Sequence, residues 1–258
     1  MIFGARVGFD IIEELEAHFR GVDFAVEIAL PYQVGNFLKI SDRMNEVRDF
    51  VQDRGIEVHS IHAPQGNLLL DAYKRWAEPT MKLADELDTK SVTFHPNQTK
   101  QQRLDGQLMA RQHIKDLQGN AKALVAIETF GGRRRVFYPE EIVDLRIPMV
   151  VDTAHLHGND RILNLIRKYH ESIPTVHLSA RGQNEHHLPI DDFCLQVVQL
   201  LKELDWQGGI ILEYLPWHHY RVKDDLVLLK LFFDGKHDIE LPPPDDKFKH
   251  DESMWGFA

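Results

Sequence analysis

Residues 123–152 read ALVAIETFGGRRRVFYPEEIVDLRIPMVVD. Two apolar runs, Ala123–Glu128 and Pro148–Asp152, each end on a carboxylate. Neither run alternates polar with apolar residues, so each suits a strand covered on both faces, as in a parallel sheet. The same design recurs along the chain at Ile2–Phe9, Val22–Leu30, Ile56–His62, Ser91–His95, Thr175–Leu178 and Gly209–Tyr214. Between these runs, Arg43–Arg54, Asp71–Leu87, Leu104–Leu117, Ile162–Tyr169, Phe193–Leu204 and Leu226–Phe233 carry apolar residues at three- and four-residue spacing, which predicts amphipathic helices. Alternating strands and helices imply parallel βαβ connections. Eight such units predict an α/β fold, a single-domain (β/α)8 barrel with eight parallel strands, over residues 1–240. An open doubly wound sheet is the alternative, but no G-x-G-x-x-G follows an early strand. Residues 241–258, with Pro242–Pro244 and an acidic composition, read as a tail.

Composition agrees with a folded enzyme-sized chain. It has 258 residues, 43% hydrophobic and 27% charged, so disorder is excluded. No run approaches the ~18 apolar residues that a membrane helix needs. The start, MIFGARVGFD, lacks a charged segment followed by an apolar run, which predicts no secretory leader and a cytoplasmic protein. The single cysteine, Cys194, excludes a disulfide framework and thiolate metal clusters within the chain. A net charge of −10 argues against broad nonspecific nucleic-acid binding, though not against a local basic site. Fifteen histidines are the unusual feature.

In a barrel, reactive groups come from the C-terminal strand ends and the loops after them. This chain places His62, His95, Glu128, Asp152, His177 and Glu213 at or near the ends of strands three to eight, 24 to 36 residues apart. One imidazole or carboxylate at a strand end is ordinary; six in register on one rim are not. Carboxylates crowded in a barrel mouth repel one another and lose hydration, and a bound cation removes that cost. Imidazole and carboxylate without thiolate suit a divalent ion, Zn²⁺ first and Mn²⁺ second, with one to three per chain. Two rim loops add donors. His155 follows Asp152 by three residues, and Glu185 and His187 lie two apart, where an extended segment would put both on one face. His157, His186, His218 and His219 also fall near rim loops, whereas His18, His113, His170, His237 and His250 fall on helices or the tail.

Positive charge gathers on the same rim. Arg133, Arg134 and Arg135 follow Glu128, and Lys100, Arg103, Arg161 and Arg181 follow the other strand ends. Arginine forks match phosphate and carboxylate geometry, so Arg133, Arg134, Arg135 and Arg181 are candidate contacts for a small anionic or sugar substrate.

Taken together, these residues resemble the xylose isomerase-like barrel superfamily, which contains sugar isomerases and epimerases and the endonuclease IV family. The resemblance runs from Ile2 to about Tyr214. Glu128, Asp152, His177 and Glu213 match the superfamily's four-residue core. His62, His95, the D-x-x-H at Asp152–His155, and Glu185 with His187 match the additional endonuclease IV pattern. The resemblance implies three ions: one on His62, His95 and Glu128, one on Glu128, Asp152, His177 and Glu213, and one on His155, Glu185 and His187. There are departures. Glu185 stands where the endonuclease family has Asp, and Ser179–Ala180 replace an Asn–Asp pair. The loop Ala63–Asn67 is short, and a Gly-x-Gly is missing after the D-x-H segment. These departures fall on loops that touch DNA in that family, so nucleic acid is a weak partner expectation.

Two chemistries follow. Metal-assisted phosphoester hydrolysis uses the five extra donors, with Glu128 bridging two ions. Isomerisation or epimerisation of a sugar or sugar phosphate needs one ion, with Glu128 and Glu213 as the catalytic acid–base pair. A ligand-binding barrel without catalysis is the third possibility, and the complete donor set argues against it.

Overall fold

The computed structural model describes residues 1–9, 24–40, 43–96, 103–131, 135–183, 185–236 and 241. Eight strands close into one barrel: β1 (Ile2–Gly8), β2 (Ala25–Ala29), β3 (Val58–His62), β4 (Ser91–Phe94), β5 (Leu124–Glu128), β6 (Met149–Asp152), β7 (Thr175–Leu178) and β8 (Gly209–Leu212). Every neighbouring pair is parallel, and β1 pairs with β8 to shut the ring. Helices lie between the strands: α1 (Val34–Ile40), α2 (Met44–Asp53), α3 (Lys74–Glu86), α4 (Arg103–Gly119), α5 (Pro139–Asp144), α6 (Asn159–Tyr169), α7 (Asp192–Glu203) and α8 (Val222–Phe233). The (β/α)8 barrel read from the sequence is therefore the fold. Strand ends agree with the sequence to within two residues, except that Val22 and Asp23 lie outside the described residues. The same is true of His18, Gly132, Asn184, His237 and residues 242–258 of the tail. No helix among the described residues is long and apolar enough to cross a membrane.

Two helices were not legible in the sequence. α1 and α5 span only seven and six residues, too few turns for a periodicity to stand out. α5 is set by its entry instead. Pro139 fills the first turn, where its missing N–H costs nothing, and the Glu141 carboxylate accepts from the Tyr138 backbone N–H at 2.9 Å. Asp191 caps α7 by accepting from the Cys194 N–H at 3.0 Å. Cys194 itself is buried, and burial pushes its thiol well up, so it is a packing residue rather than a reactive one.

Along each strand the side chains alternate between the helices and the barrel interior. The outward set includes Ile28, Ile61, Val92, Ile127, Val151, Val176 and Ile210, all fully buried. Each contributes about 1.5–3 kcal/mol of transfer free energy on burial. The inward set is unusual, being small or polar instead of branched and apolar. Gly4 faces the Ala25 carbonyl, and a Cβ on Gly4 would stand 2.5 Å from that oxygen. Gly209 makes room for the His59 ring, which bonds the Thr175 hydroxyl at 3.1 Å. A register shift between β2 and β3 leaves His59 as the extra residue, so that Ser60 pairs with Glu27. The barrel axis therefore carries a polar column that rises to the C-terminal rim.

Candidate metal centre

The strands deliver their terminal donors to one place. Glu128 and Asp152 end β5 and β6, His62 ends β3, His95 and Glu213 follow β4 and β8 by one residue, and His177 lies within β7. Glu128, Asp152 and His177 are fully buried, and Glu213 is 7% exposed. The His177 Nδ1 lies 3.0 Å from Glu128 Oε1, 2.9 Å from Glu213 Oε2 and 4.0 Å from Asp152 Oδ2. Glu128 turns its other oxygen, Oε2, to His95 Nε2 at 3.0 Å and His62 Nε2 at 3.6 Å. On the far side, His155 Nδ1 lies 3.3 Å from Asp152 Oδ2, and its Nε2 lies 3.1 Å from His187 Nε2.

Three groups of donors result, each with its ligand atoms within 4.8 Å of one another: His62, Glu128 and His177; Glu128, Asp152, His177 and Glu213; and Asp152, His155 and His187. They form a chain, joined by Glu128 and His177 at one link and by Asp152 at the other. His62 Nε2, Glu128 Oε2, Asp152 Oδ2, His155 Nδ1 and Glu213 Oε2 are buried and crowd one another or a neighbouring imidazole, yet none makes a well-formed hydrogen bond. Orphaned lone pairs converging from the strand ends fit a cation, because each would otherwise carry its full desolvation cost. The donor set could therefore hold divalent metal.

Each ligand is oriented by its surroundings. Asp152 Oδ1 accepts from the backbone N–H groups of Ala154 (2.7 Å) and His155 (2.8 Å), which leaves Oδ2 as the free oxygen. Thr129 Oγ1 accepts from the Asp152 N–H at 2.9 Å. The Phe130 ring stacks on His155 with centroids 3.9 Å apart and meets His95 edge-on at 5.1 Å. Burial raises the Asp152 carboxyl well above the usual range, with Glu213 and Glu128 adding to the rise and His187 opposing it. Burial works against ionisation of Glu128 and Glu213 too. It is outweighed at Glu128 by His95 and His177, and at Glu213 by Arg6 and His177, so both are held well below the ordinary range. His177 is driven well above its usual value: burial opposes the charge, but Glu27 and Glu213 overcome it.

Two residues of this centre were missed in the sequence, Arg6 on β1 and Glu27 on β2. Arg6 donates to Glu213 Oε1 in a tight ion pair. Glu27 is fully buried, accepts from Ser60 Oγ at 2.7 Å, and meets His177 Nε2 at 3.1 Å. A signal was present: a lone charge inside an apolar run, GARVG or AVEIA, must be paired if the strand is covered on both faces.

Other expected contacts fall elsewhere. Glu185 does not join His155 and His187 in a donor group; Asp152 takes that place. Ala180 and Leu188 exchange backbone hydrogen bonds, and Gly182 N–H donates to Glu185 C=O. The segment is therefore not extended, His187 adopts φ +58°, and Glu185 Oε1 accepts from the Trp217 indole at 3.0 Å. Arg181 donates to the Ala154 and Leu156 carbonyls (3.3 and 3.4 Å) and contacts His157 Nε2 at 3.1 Å, bracing the loop that carries His155. Arg103 pairs with Glu141 and Arg161 with Glu140. Arg135 lies over Phe130, 4.6 Å from the ring centroid. Arg133, Arg134 and Lys100 lie outside the described residues.

No family model and no curated protein matches the chain. Solved structures do. A D-tagatose 3-epimerase-like protein superimposes with a TM-score of 0.72 at 18% identity, over 91% of this chain and 98% of that one. The apo form of 3-keto-D-glucoside 4-epimerase from E. coli gives 0.65 at 14% identity, over 89% and 99%. Endonuclease IV from Thermus thermophilus gives 0.60 at 17% identity, over 88% and 99%. At these identities the likeness establishes a shared barrel fold.

Proposed function

We propose that the chain is a divalent-metal-dependent enzyme that hydrolyses a phosphoester, in the manner of endonuclease IV. The observation that carries this reading is the chain of three linked donor groups, because a one-ion sugar enzyme has no need of the flanking donors His62, His155 and His187. Imidazoles and carboxylates without thiolate favour zinc, with manganese as the alternative. When bound, such ions supply an activated water and neutralise charge on the attacking and leaving oxygens. The protein's own part is orientation. Glu128 presents one oxygen to each of the two inner groups, and Asp152, locked by two backbone N–H groups, presents a single oxygen to the outer two. Glu128 orients the attacking water by accepting its hydrogen bond. Arg135, at the edge of the mouth, offers a guanidinium to a flanking phosphate.

A second reading is epimerisation of a sugar or sugar phosphate. It is favoured by the placement of Glu128 and Glu213, whose oxygens lie 3.0 and 2.9 Å from the same His177 nitrogen and so flank the four-residue group as an acid–base pair would. The experiment is a survey of zinc- and manganese-loaded protein on an abasic-site duplex, simple phosphodiesters and a panel of ketoses. Phosphodiester turnover that is lost in Glu128→Gln supports hydrolysis. Turnover of ketoses alone overturns it in favour of the epimerase.

A further inference from the structure

The four-residue group is approached by an imidazole whose two nitrogens have different tasks. His177 Nδ1 faces Glu128 and Glu213, and its Nε2 points the other way, along the barrel axis, to Glu27 on β2. Glu27 is fully buried; its Oε1 and Oε2 both lie 3.1 Å from Nε2. The Ser60 hydroxyl donates to Oε2 at 2.7 Å and fixes the carboxylate plane. Ser60 reaches it because the register shift in β3 places Ser60, and not His59, opposite Glu27. A buried carboxylate facing Nε2 fixes a proton on that nitrogen, so Nδ1, which faces the Glu128 and Glu213 carboxylates, is the nitrogen left for a metal shared with them.

We propose that Glu27 is a positioning residue that, with Ser60, holds His177 in the Nε2–H form and so presents Nδ1 to the Glu128–Asp152–Glu213 group. The inference rests on the reading of that group as a metal site. Outer partners of ligating histidines set ring orientation and basicity, and their loss costs 10–100-fold in metal affinity. Glu27 does not touch the reacting atoms; it acts through His177.

The test uses full-length protein and zinc ions alone. Zinc affinity is measured by chelator competition in the parent, Glu27→Gln, Glu27→Leu and Ser60→Ala. The His177 ring nitrogens are followed by long-range 1H–15N NMR, assigned with His177→Gln. The parent is expected to show Nε2 protonated and Nδ1 ligated. Glu27→Leu is expected to weaken zinc binding 10–100-fold. Glu27→Gln, which keeps the shape and an acceptor oxygen, recovers part of the loss, and Ser60→Ala loses less than Glu27→Leu. Should Glu27→Leu fail to fold, the Gln and Ala variants carry the test through the same affinity and NMR readouts. Zinc affinity unchanged within threefold in every folded variant, or ligation of His177 through Nε2 in the parent, overturns the role of Glu27 while the metal reading stands. A parent that binds no zinc overturns both.

Discussion

His187 Nε2 stands 3.1 Å from His155 Nε2, although 32 residues of chain separate the two rings. The contact is accompanied by backbone strain: His187 sits at φ +58°, its carbonyl held by the Leu215 N–H at 3.1 Å. That contact puts His187 within reach of Asp152 and His155, the group proposed as the outermost site. His187→Asn, which tolerates the left-handed backbone, is expected to lower zinc stoichiometry by one ion per chain and to leave the inner groups loaded. Elemental analysis after dialysis against zinc checks this, and an unchanged ratio rules out the outer site.

The Arg6–Glu213 pair makes a second prediction. Arg6→Met leaves the buried Glu213 carboxylate with His177 as its nearest remaining partner, and removing one partner of a buried pair costs about 3–5 kcal/mol. Arg6 is 24% exposed, so the loss is expected at the low end of that range. Urea unfolding in excess chelator measures it; a loss below about 1 kcal/mol contradicts the assignment. Added zinc is expected to restore part of the loss, since a divalent ion gives Glu213 a new partner.

Proton linkage makes a third. Against burial, Glu27 and Glu213 hold His177 well above its usual value, which favours a proton at Nδ1 in competition with a metal bound there. Zinc affinity is expected to rise with pH, by up to tenfold per unit while that proton is bound. Calorimetric titration in buffers of different ionisation enthalpy reads the released proton directly. No buffer dependence would count against Nδ1 as the ligand atom.

The same pair sets how the metal-free chain responds to pH. Glu27 is depressed to about 2: burial opposes this, and the charge and hydrogen bond of His177 overcome it. Its stabilisation is present above the ordinary glutamate value of 4.5 and is lost as pH falls towards 2. His177 is raised, so its contribution is complete below 6.5 and is lost as pH rises through its folded value. Thermal melts in chelator are expected to be flat between pH 4.5 and 6.5 with respect to this pair and to decline on both sides. Glu27→Gln is expected to flatten the acid limb.

A packing prediction tests the barrel floor. A methyl at Gly4 would meet the Ala25 carbonyl oxygen at 2.5 Å, and that atom is backbone and cannot swing aside. Gly4→Ala is expected to destabilise the chain by at least the ~1–3 kcal/mol typical of overpacking, measured by denaturant unfolding.

The barrel and its rim were legible in the chain because both rest on local order. Runs such as VAIE and PMVVD declare buried strands, and a donor that ends each run must arrive at the C-terminal rim once eight strands close. That logic locates His62, His95, Glu128, Asp152, His177 and Glu213. It fails at Glu185, where spacing alone implies a shared face with His187. The backbone pairing of Ala180 with Leu188 sends the two side chains apart. It also leaves out what the arginines touch: Arg103, Arg161 and Arg181 are engaged within the protein, and sequence records their charge but not their partners.

Strand order, the single-domain barrel and the identity of most donors thus follow from sequence, since periodicity and strand-end position are properties of neighbouring residues. Which donors share an oxygen, which way His177 faces, and why Arg6 and Glu27 can lie inside a barrel are decided by tertiary structure. Glu27 and His177 are 150 residues apart, and only closure of the sheet brings β2 and β7 across one axis. Burial there makes each charge depend on the next, which no local pattern encodes.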